Sequence, residues 1–379
     1  MERTRRTGLA ALDTIDGRGV RLRRFREDDA DDVAAACNDP LTQRFVLALP
    51  SPYTRDDAMW WITEGAPAAF AAGGAAFAIT DPSTDRVLGA TGITATPNQP
   101  GRGEIGYWVA PWARDRGVAT AGCVALTEAA FANEYVRLRL LTDPENGSSQ
   151  RVAIAAGYWR EGLIREAATD RRGRRWDMVQ WARLASDPSG PSRRLLPDMP
   201  RSGITDGVVT LRPLRTVDAA DTYALRSLPE VVATSVPPRR PEPTDVARIC
   251  ALAESQWLAG ARAQLTIRDA TTGTYAGEIG LYYNEPDVCQ AMIGYCMVPA
   301  WRRRGYATRA VRLLAGWAFD RVGVVRLVAG TAPDNLASQR VLIRAGFQQE
   351  GYQRARQPGI DGTRVDNLLF ALLADDLTA

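Results

Sequence analysis

The 379-residue chain contains no histidine, and all 47 of its basic residues are arginine, so lysine is missing too. These two gaps exclude whole mechanisms. Without histidine there is no Ser-His-Asp or Cys-His nucleophile system, and no His-ligated zinc or iron site. Without lysine there is no Walker A lysine, kinase lysine, pyridoxal Schiff base or lysine self-acylation. Proton transfer falls to Asp, Glu, Tyr, Cys, Ser, water or a terminus. Cysteine is scarce: five residues, none in a CxxC spacing. Scattered through apolar stretches, they point to reduced core thiols and a cytoplasmic setting. Long hydrophobic runs are missing as well. Residues 65–80 carry no charge, but they are rich in Ala and Gly, interrupted by Pro67 and too short to cross a membrane. The first 19 residues have arginines and no apolar core, so no signal peptide is expected. A formal charge of only +3, from 47 Arg against 44 acids, argues against a nucleic-acid partner. The densest basic run, Arg171-Arg172-Gly173-Arg174-Arg175, reads as a solvated hairpin turn.

What is present is written twice. Val20-Arg21-Leu22-Arg23 matches Val209-Thr210-Leu211-Arg212, and Ile105-Gly106-Tyr107 matches Ile293-Gly294-Tyr295. Residues 142–157 match 331–346 at ten of sixteen positions, and the offset stays at 188 or 189 throughout. So long a period means two copies of one domain rather than a solenoid. Residues 1–184 and 208–379 are the expected domains. Between them, 185–207 has the proline and serine content of a linker.

Each copy reads in the same order. A short strand (20–25; 208–214) is followed by two helices (29–37 and 54–72; 218–228 and 244–259). Thr54 with Asp57 forms a capping-box-like start, and Thr244 opens the corresponding helix. Three strands, a long helix from Gly117 or Gly305, a strand, a helix from Asn146 or Asn335 and a closing hairpin complete the unit. The order β-α-α-β-β-β-α-β-α-β-β predicts an α+β domain with a mixed sheet.

The most informative segment is Trp301-Arg302-Arg303-Arg304-Gly305-Tyr306-Ala307-Thr308. Its partner runs from Trp112 through Arg114, Asp115, Arg116, Gly117, Val118 and Ala119 to Thr120. Both follow a strand and open a helix. A glycine turn there lets consecutive backbone N–H groups face an anion, with a helix N-terminus and arginines adding positive charge. This is a pyrophosphate cradle, and it occurs twice in one topological slot.

Arg-x-x-Gly-x-Ala resembles the coenzyme A loop of the GNAT superfamily of N-acetyltransferases, whose strand order this chain shares. It is similar in particular to the Rim-type enzymes that acetylate ribosomal-protein N-termini, and to their antibiotic- and metabolite-modifying relatives. The segments Glu104-Ile105-Gly106-Tyr107-Trp108, Asn146-Gly147-Ser148-Ser149-Gln150-Arg151 and Asn335-Leu336-Ala337-Ser338-Gln339-Arg340 carry the likeness. The resemblance implies direct transfer of an acyl group from acetyl-CoA, or another acyl-CoA, to an amine, with no metal. It implies a carboxylate base at Glu104 and hydroxyl donors to the leaving thiolate at Ser149 and Ser338. Backbone N–H groups near Val109 and near Met297 and Val298 would face the thioester, from a strand the family bulges. The acceptor would be a peptide N-terminus, an antibiotic or a small metabolite amine, with no membrane involved and a homodimer left open. Asn146 and Asn335 read as helix N-caps with a second role toward the pantetheine arm.

The copies depart from the pattern in different ways. Met292 stands in the second where Glu104 stands in the first, leaving Glu278, Asp287 or a water chain as substitutes. Asp115 puts a negative charge in the first loop where the second has Arg303. The alternative is therefore that one copy is a non-catalytic coenzyme-binding or scaffolding domain. Tyr107, Tyr295 and Trp108 could line the acceptor cleft, although strand aromatics are more often core.

Overall fold

The computed structural model describes residues 8–378. The arginines within residues 1–7, weighed above against a signal peptide, lie outside them. The chain divides into two compact units, Met1–Arg193 and Arg194–Ala379.

The N-terminal unit contains strands β1 (Thr14–Gly17), β2 (Val20–Arg23), β3 (Ala75–Thr80), β4 (Val87–Ala95), β5 (Arg102–Val109), β6 (Arg137–Thr142), β7 (Trp159–Thr169) and β8 (Arg175–Leu184). Its helices are α1 (Ala30–Cys37), α2 (Pro40–Phe45), α3 (Arg55–Trp60), α4 (Ala66–Ala71), α5 (Val118–Phe131) and α6 (Gly147–Ala155). The C-terminal unit contains β9 (Ile204–Thr205), β10 (Val209–Pro213), β11 (Arg262–Asp269), β12 (Tyr275–Glu285), β13 (Gln290–Met297), β14 (Arg326–Thr331), β15 (Gln348–Pro358) and β16 (Arg364–Leu373). Its helices are α7 (Ala219–Arg226), α8 (Pro229–Thr234), α9 (Pro243–Leu258), α10 (Tyr306–Trp317), α11 (Leu336–Ala345) and α12 (Ala374–Thr378).

The two sheets have one topology, β1-β2-β3-β4-β5-β6-β8-β7 and β9-β10-β11-β12-β13-β14-β16-β15. All neighbours are antiparallel except β5–β6 and β13–β14. Those parallel pairs are short. β5 meets β6 only at Arg102↔Arg137, Gly103↔Leu138 and Glu104↔Arg139, after which the strands part. β13 and β14 part after Met292↔Val328. Beyond these rungs each sheet opens into a V whose inner backbone groups have no ladder partner, and buried polar backbone of this kind is a place for a ligand.

Side-chain alternation assigns the two faces of the sheet. Gly122 of α5 sits against Ile79. That puts Ile79, Thr91, Ile93, Ile105, Tyr107 and Val109, which lie opposite one another on β3, β4 and β5, on the α5 face. Glu104, Gly106 and Trp108 take the other face, where Trp108 packs against the cluster formed by Ala30, Val33, Cys37, Tyr53, Ala58 and Ile62.

Several local expectations change. The helix expected at 54–72 is broken into α3, a wide turn at Trp61–Gly65 and α4. Pro67 has no N–H to continue the ladder and crowds the carbonyl four residues back. Thr54 and Asp57 do make the reciprocal cap. Thr244 does not open its helix: Pro243 is the first residue of α9 and Glu242 precedes it. The edge strands β1 and β9 and the short helices α2 and α8 were not foreseen. The arginine run forms the expected β7–β8 turn, with Gly173 at φ 76°. The proline- and serine-rich segment packs down rather than running free. Ser192 donates to the Tyr158 carbonyl at 2.8 Å, and Leu196 is fully buried in the C-terminal core.

Candidate active site

The strand β5 leads through a short turn to α5, and the turn adopts the shape its glycine permits. Asp115 and Gly117 are left-handed (φ 58° and 76°), as are Arg303 and Gly305 (φ 60° and 80°). Gly117 and Gly305 occupy the N-cap positions and supply no capping side chain. The first intrahelical bonds are Ala121 N to Gly117 O at 2.9 Å and Arg309 N to Gly305 O at 3.1 Å. The N–H groups of Val118, Ala119 and Thr120, and of Tyr306, Ala307 and Thr308, are therefore free of helix partners. Three open donors at the positive end of a helix, with left-handed residues alternating before it, suit a pyrophosphate.

The arginines of this loop divide their work. Arg114 is turned to the Asp39 carboxylate and the Thr42 hydroxyl at the start of α2. Arg302 donates to the Met297 carbonyl and to Glu230 on α8. The sequence reading put both on the anion; the structure commits them to stapling the loop to the neighbouring short helix. Arg304 stacks on Trp301, 5.4 Å from the ring centre. Among the described residues Arg116 and Arg303 have no ion pair within 4 Å, which leaves them for an incoming phosphate. The Tyr306 side chain is also structural, packed 4.9 Å from Trp301 and donating to Asp269.

Inside the V, strand parity decides which N–H groups are available. Ala110 N donates to Leu88 O on β4, so alternation points the N–H groups of Tyr107 and Val109 into the gap. In the second copy Val298 N donates to Ala276 O at 2.9 Å. Val298 is thus turned away, and Met297 with Tyr295 face the gap. The offset between the copies made Val298 look equivalent to Val109; one residue along a strand reverses the side. The β4–β5 register is regular from Gly89↔Val109 to Ala95↔Gly103, so the expected bulge is absent there.

Across the gap stands the first turn of α6. Asn146 accepts the Ser149 N–H at 3.0 Å, and Asn335 accepts the Ser338 N–H at 3.1 Å, so both asparagines cap their helices. The Ser149 hydroxyl lies 2.9 Å from the Tyr107 phenol, and the Ser338 hydroxyl 2.9 Å from that of Tyr295. Burial pushes the Tyr295 phenol up to about 12 and raises Tyr107 further, so both hold their protons at neutral pH. These tyrosines were read mainly as core. Their presence in both copies at the same offset was the signal that could have marked them.

The opposite face separates the two copies. Glu104 sits at the last paired rung of the first V, its side chain about one-third exposed and 2.8 Å from Arg139. Beside it a Cβ added to Gly106 would meet nothing within 4 Å, so the floor of this cleft is open. In the second copy Met292 replaces the carboxylate. Glu278, the offered substitute, is buried and committed: Arg226 donates to its Oε2 at 2.7 and 3.0 Å, and Tyr275 to its Oε1 at 2.7 Å. A buried carboxylate that already accepts three hydrogen bonds, from a guanidinium and a phenol, is committed to the fold, so the assignment of Glu278 as a base is withdrawn. The ring of Tyr282 lies over Gly280 and Gly294, 3.3 and 3.7 Å from their Cβ positions, and Arg262 stacks on it. Where the first cleft is open, the second is filled.

The Arg226–Glu278 pair gives a stability prediction. Arg226→Met strands a buried carboxylate and is expected to destabilise the C-terminal domain by about 3 kcal/mol. Its unfolding transition in a thermal melt should fall while the N-terminal transition stays in place.

Residues 20–159 and 209–348 each match the acetyltransferase (GNAT) domain family. The chain is 41% identical over 86 residues to Probable N-acetyltransferase YjcK of Bacillus subtilis (strain 168), covering 23% of this chain and 47% of that protein. It is 34% identical over 97 residues to the uncharacterized N-acetyltransferase YoaA of the same organism, covering 26% and 54%. The chain thus spans about half the length of the curated relatives it matches. Among solved structures it is similar to Mycobacterium smegmatis RimJ in complex with CoA-disulfide, at 24% identity and TM-score 0.43, covering 49% of this chain and 92% of that one. It is similar also to the ribosomal-protein-S5-alanine acetyltransferase from Vibrio fischeri, at 18% identity and TM-score 0.41, covering 46% and 97%. Matched in both halves and over most of its length, the chain belongs to the GNAT acetyltransferase family and carries that domain twice.

Proposed function

We propose that the N-terminal domain transfers an acetyl group from acetyl-CoA to a primary amine, and that the C-terminal domain binds acyl-CoA without transferring it. The observation that carries this is the contrast between the clefts: Glu104, about one-third exposed, beside open space at Gly106 in one, and an uncharged Met292 with the Tyr282 ring lying over Gly280 and Gly294 in the other.

In this reading the pyrophosphate rests on Val118, Ala119 and Thr120, and the thioester enters the V. The amine arrives as an ammonium and gives a proton to Glu104 through intervening water. Its nitrogen attacks the carbonyl carbon, and the oxyanion meets N–H groups of Tyr107 and Val109. As the C–S bond breaks, the thiolate takes a proton from the Tyr107–Ser149 pair, the nitrogen sheds its second proton to water, and the pair and Glu104 return to their starting states by exchange with solvent. The second domain shares the loop and the hydroxyl pair but has no base and no room for an acceptor. Five unpaired cysteines support a reducing, cytoplasmic compartment.

The test uses the full chain and measures CoA release from acetyl-CoA with a panel of peptides and small amines. Gly106→Val adds its Cβ where no atom lies within 4 Å, so the domain should still fold, which a thermal melt checks, and transfer should stop. Gly294→Val should leave turnover unchanged. Loss with Gly294→Val and retention with Gly106→Val would assign the chemistry to the other domain.

A further inference from the structure

Asp143 follows directly on β6 and has no part in the mechanism above. Alternation from Arg139 through Leu141 puts it on the same face as Glu104. Arg44 of α2 and Arg174 of the β7–β8 turn act on the Asp143 carboxyl, and Arg44 also holds Glu145, two residues on, at 2.5 Å. The register sets its position along the V. Glu104 and Arg139 form the last rung, so Asp143 and Trp108 are each four residues, about 13 Å, further out on opposite arms. That is the level of the Val109 N–H group. One carboxyl oxygen accepts the Glu145 N–H at 2.7 Å, which orients the group. The second copy has Ala332 at this place, so the charge belongs only to the cleft that also has Glu104.

We propose that Asp143 is an acceptor-binding residue of the N-terminal domain, its carboxylate holding a cationic amine across the V from Trp108. This rests on the transferase reading above. The carboxylate is partly buried, and the nearby guanidinium groups are spent in part elsewhere: Arg44 on Glu145, and Arg174 on the Trp176 ring 3.6 Å away. An ammonium entering the cleft would therefore find an incompletely neutralised negative charge at the level where the thioester carbonyl lies. A neutral molecule of the same shape would gain nothing from it. Burial raises the Asp143 pKa, opposed by the Glu145 N–H and by Arg44 and Arg174, while the Glu145 carboxylate adds to the rise. Capture should weaken as pH falls through that elevated value, because protonation removes the charge.

The experiment uses the full chain with benzylamine and its uncharged isostere benzyl alcohol. Calorimetry measures binding of each to CoA-loaded protein, and CoA release gives KM and kcat for benzylamine. The wild type is expected to bind benzylamine at least tenfold more tightly than benzyl alcohol. Asp143→Asn should abolish that preference and raise KM about tenfold, with kcat and the KM for acetyl-CoA little changed, and Asp143→Glu should restore part of it. Equal binding of the two probes by the wild type, or an unchanged preference in Asp143→Asn, overturns the proposal. If the preference tracks Asp143 but no amine in the panel is acetylated, the binding role stands and the transferase reading fails.

Discussion

Glu104→Gln lowers kcat for amine acetylation about 100-fold and leaves acetyl-CoA binding unchanged. That is the expected result, because a positioned general base contributes roughly 10²–10⁴ to rate and a glutamine keeps the shape while losing the proton acceptor. The physical case starts from parity. Glu104 lies on the face opposite the Tyr107–Ser149 pair, so in the proposed reaction proton removal from the amine and proton delivery to the thiolate would take place on two sides of one strand. The substitution should not disturb folding. Its ion-pair partner Arg139 is half-exposed, and pairs of that kind contribute about 0–1 kcal/mol. The variant is checked by steady-state kinetics on the full chain, together with a thermal melt. Unchanged kcat with an unchanged melt would remove Glu104 from the mechanism and turn attention to Asp143.

The second large effect concerns coenzyme stoichiometry. Calorimetric titration of CoA into the full chain should give two equivalents bound per chain. Gly117→Val and Gly305→Val should each reduce this to one. Both glycines sit at positive φ, near 76° and 80°, where a β-branched residue is an outlier. Forcing a side chain there costs on the order of 1–2 kcal/mol, too little to unfold a domain but enough to swing the helix N-terminus off the phosphates. The two variants should then differ in activity. Gly117→Val is expected to lose transfer, and Gly305→Val to retain it with one CoA bound. A single equivalent in the wild type would show that one loop is not a coenzyme site, and the variant that abolishes it would name which.

These expectations draw unequally on sequence and structure. The two glycine turns were legible because their chemistry is local: a glycine that can turn left-handed, then a helix whose first N–H groups need partners. The helix caps at Asn146 and Asn335 were legible for the same reason, since N-cap and N3 are three residues apart. The hydroxyl pair across the gap was only half legible. Ser149 was marked, but its partner Tyr107 lies 42 positions away and touches it only because the sheet splays and α6 is docked across the gap. Arg114 and Arg302 looked like phosphate ligands because the motif contains them. Their carboxylate partners, Asp39 and Glu230, are 75 and 72 positions distant on helices the sequence did not announce.

Glu278 shows the limit most clearly. On a strand diagram it is one more acid near the cleft. In the folded domain α7 brings Arg226 against it and the strand itself supplies Tyr275, and a carboxylate so held is a structural ion pair. Val298 fails by a single step of strand parity, which only the Val298–Ala276 hydrogen bond reveals.

The sequence by itself determined that this chain has no histidine or lysine to draw on, that one domain is written twice, and that each copy opens a helix at a glycine turn. Composition, period and local backbone chemistry need no tertiary contact to be read. Only the tertiary structure decided which carboxylate is free, which N–H groups face the gap and which cleft is open. Those are properties of what lies across from a residue, and packing between distant segments sets them.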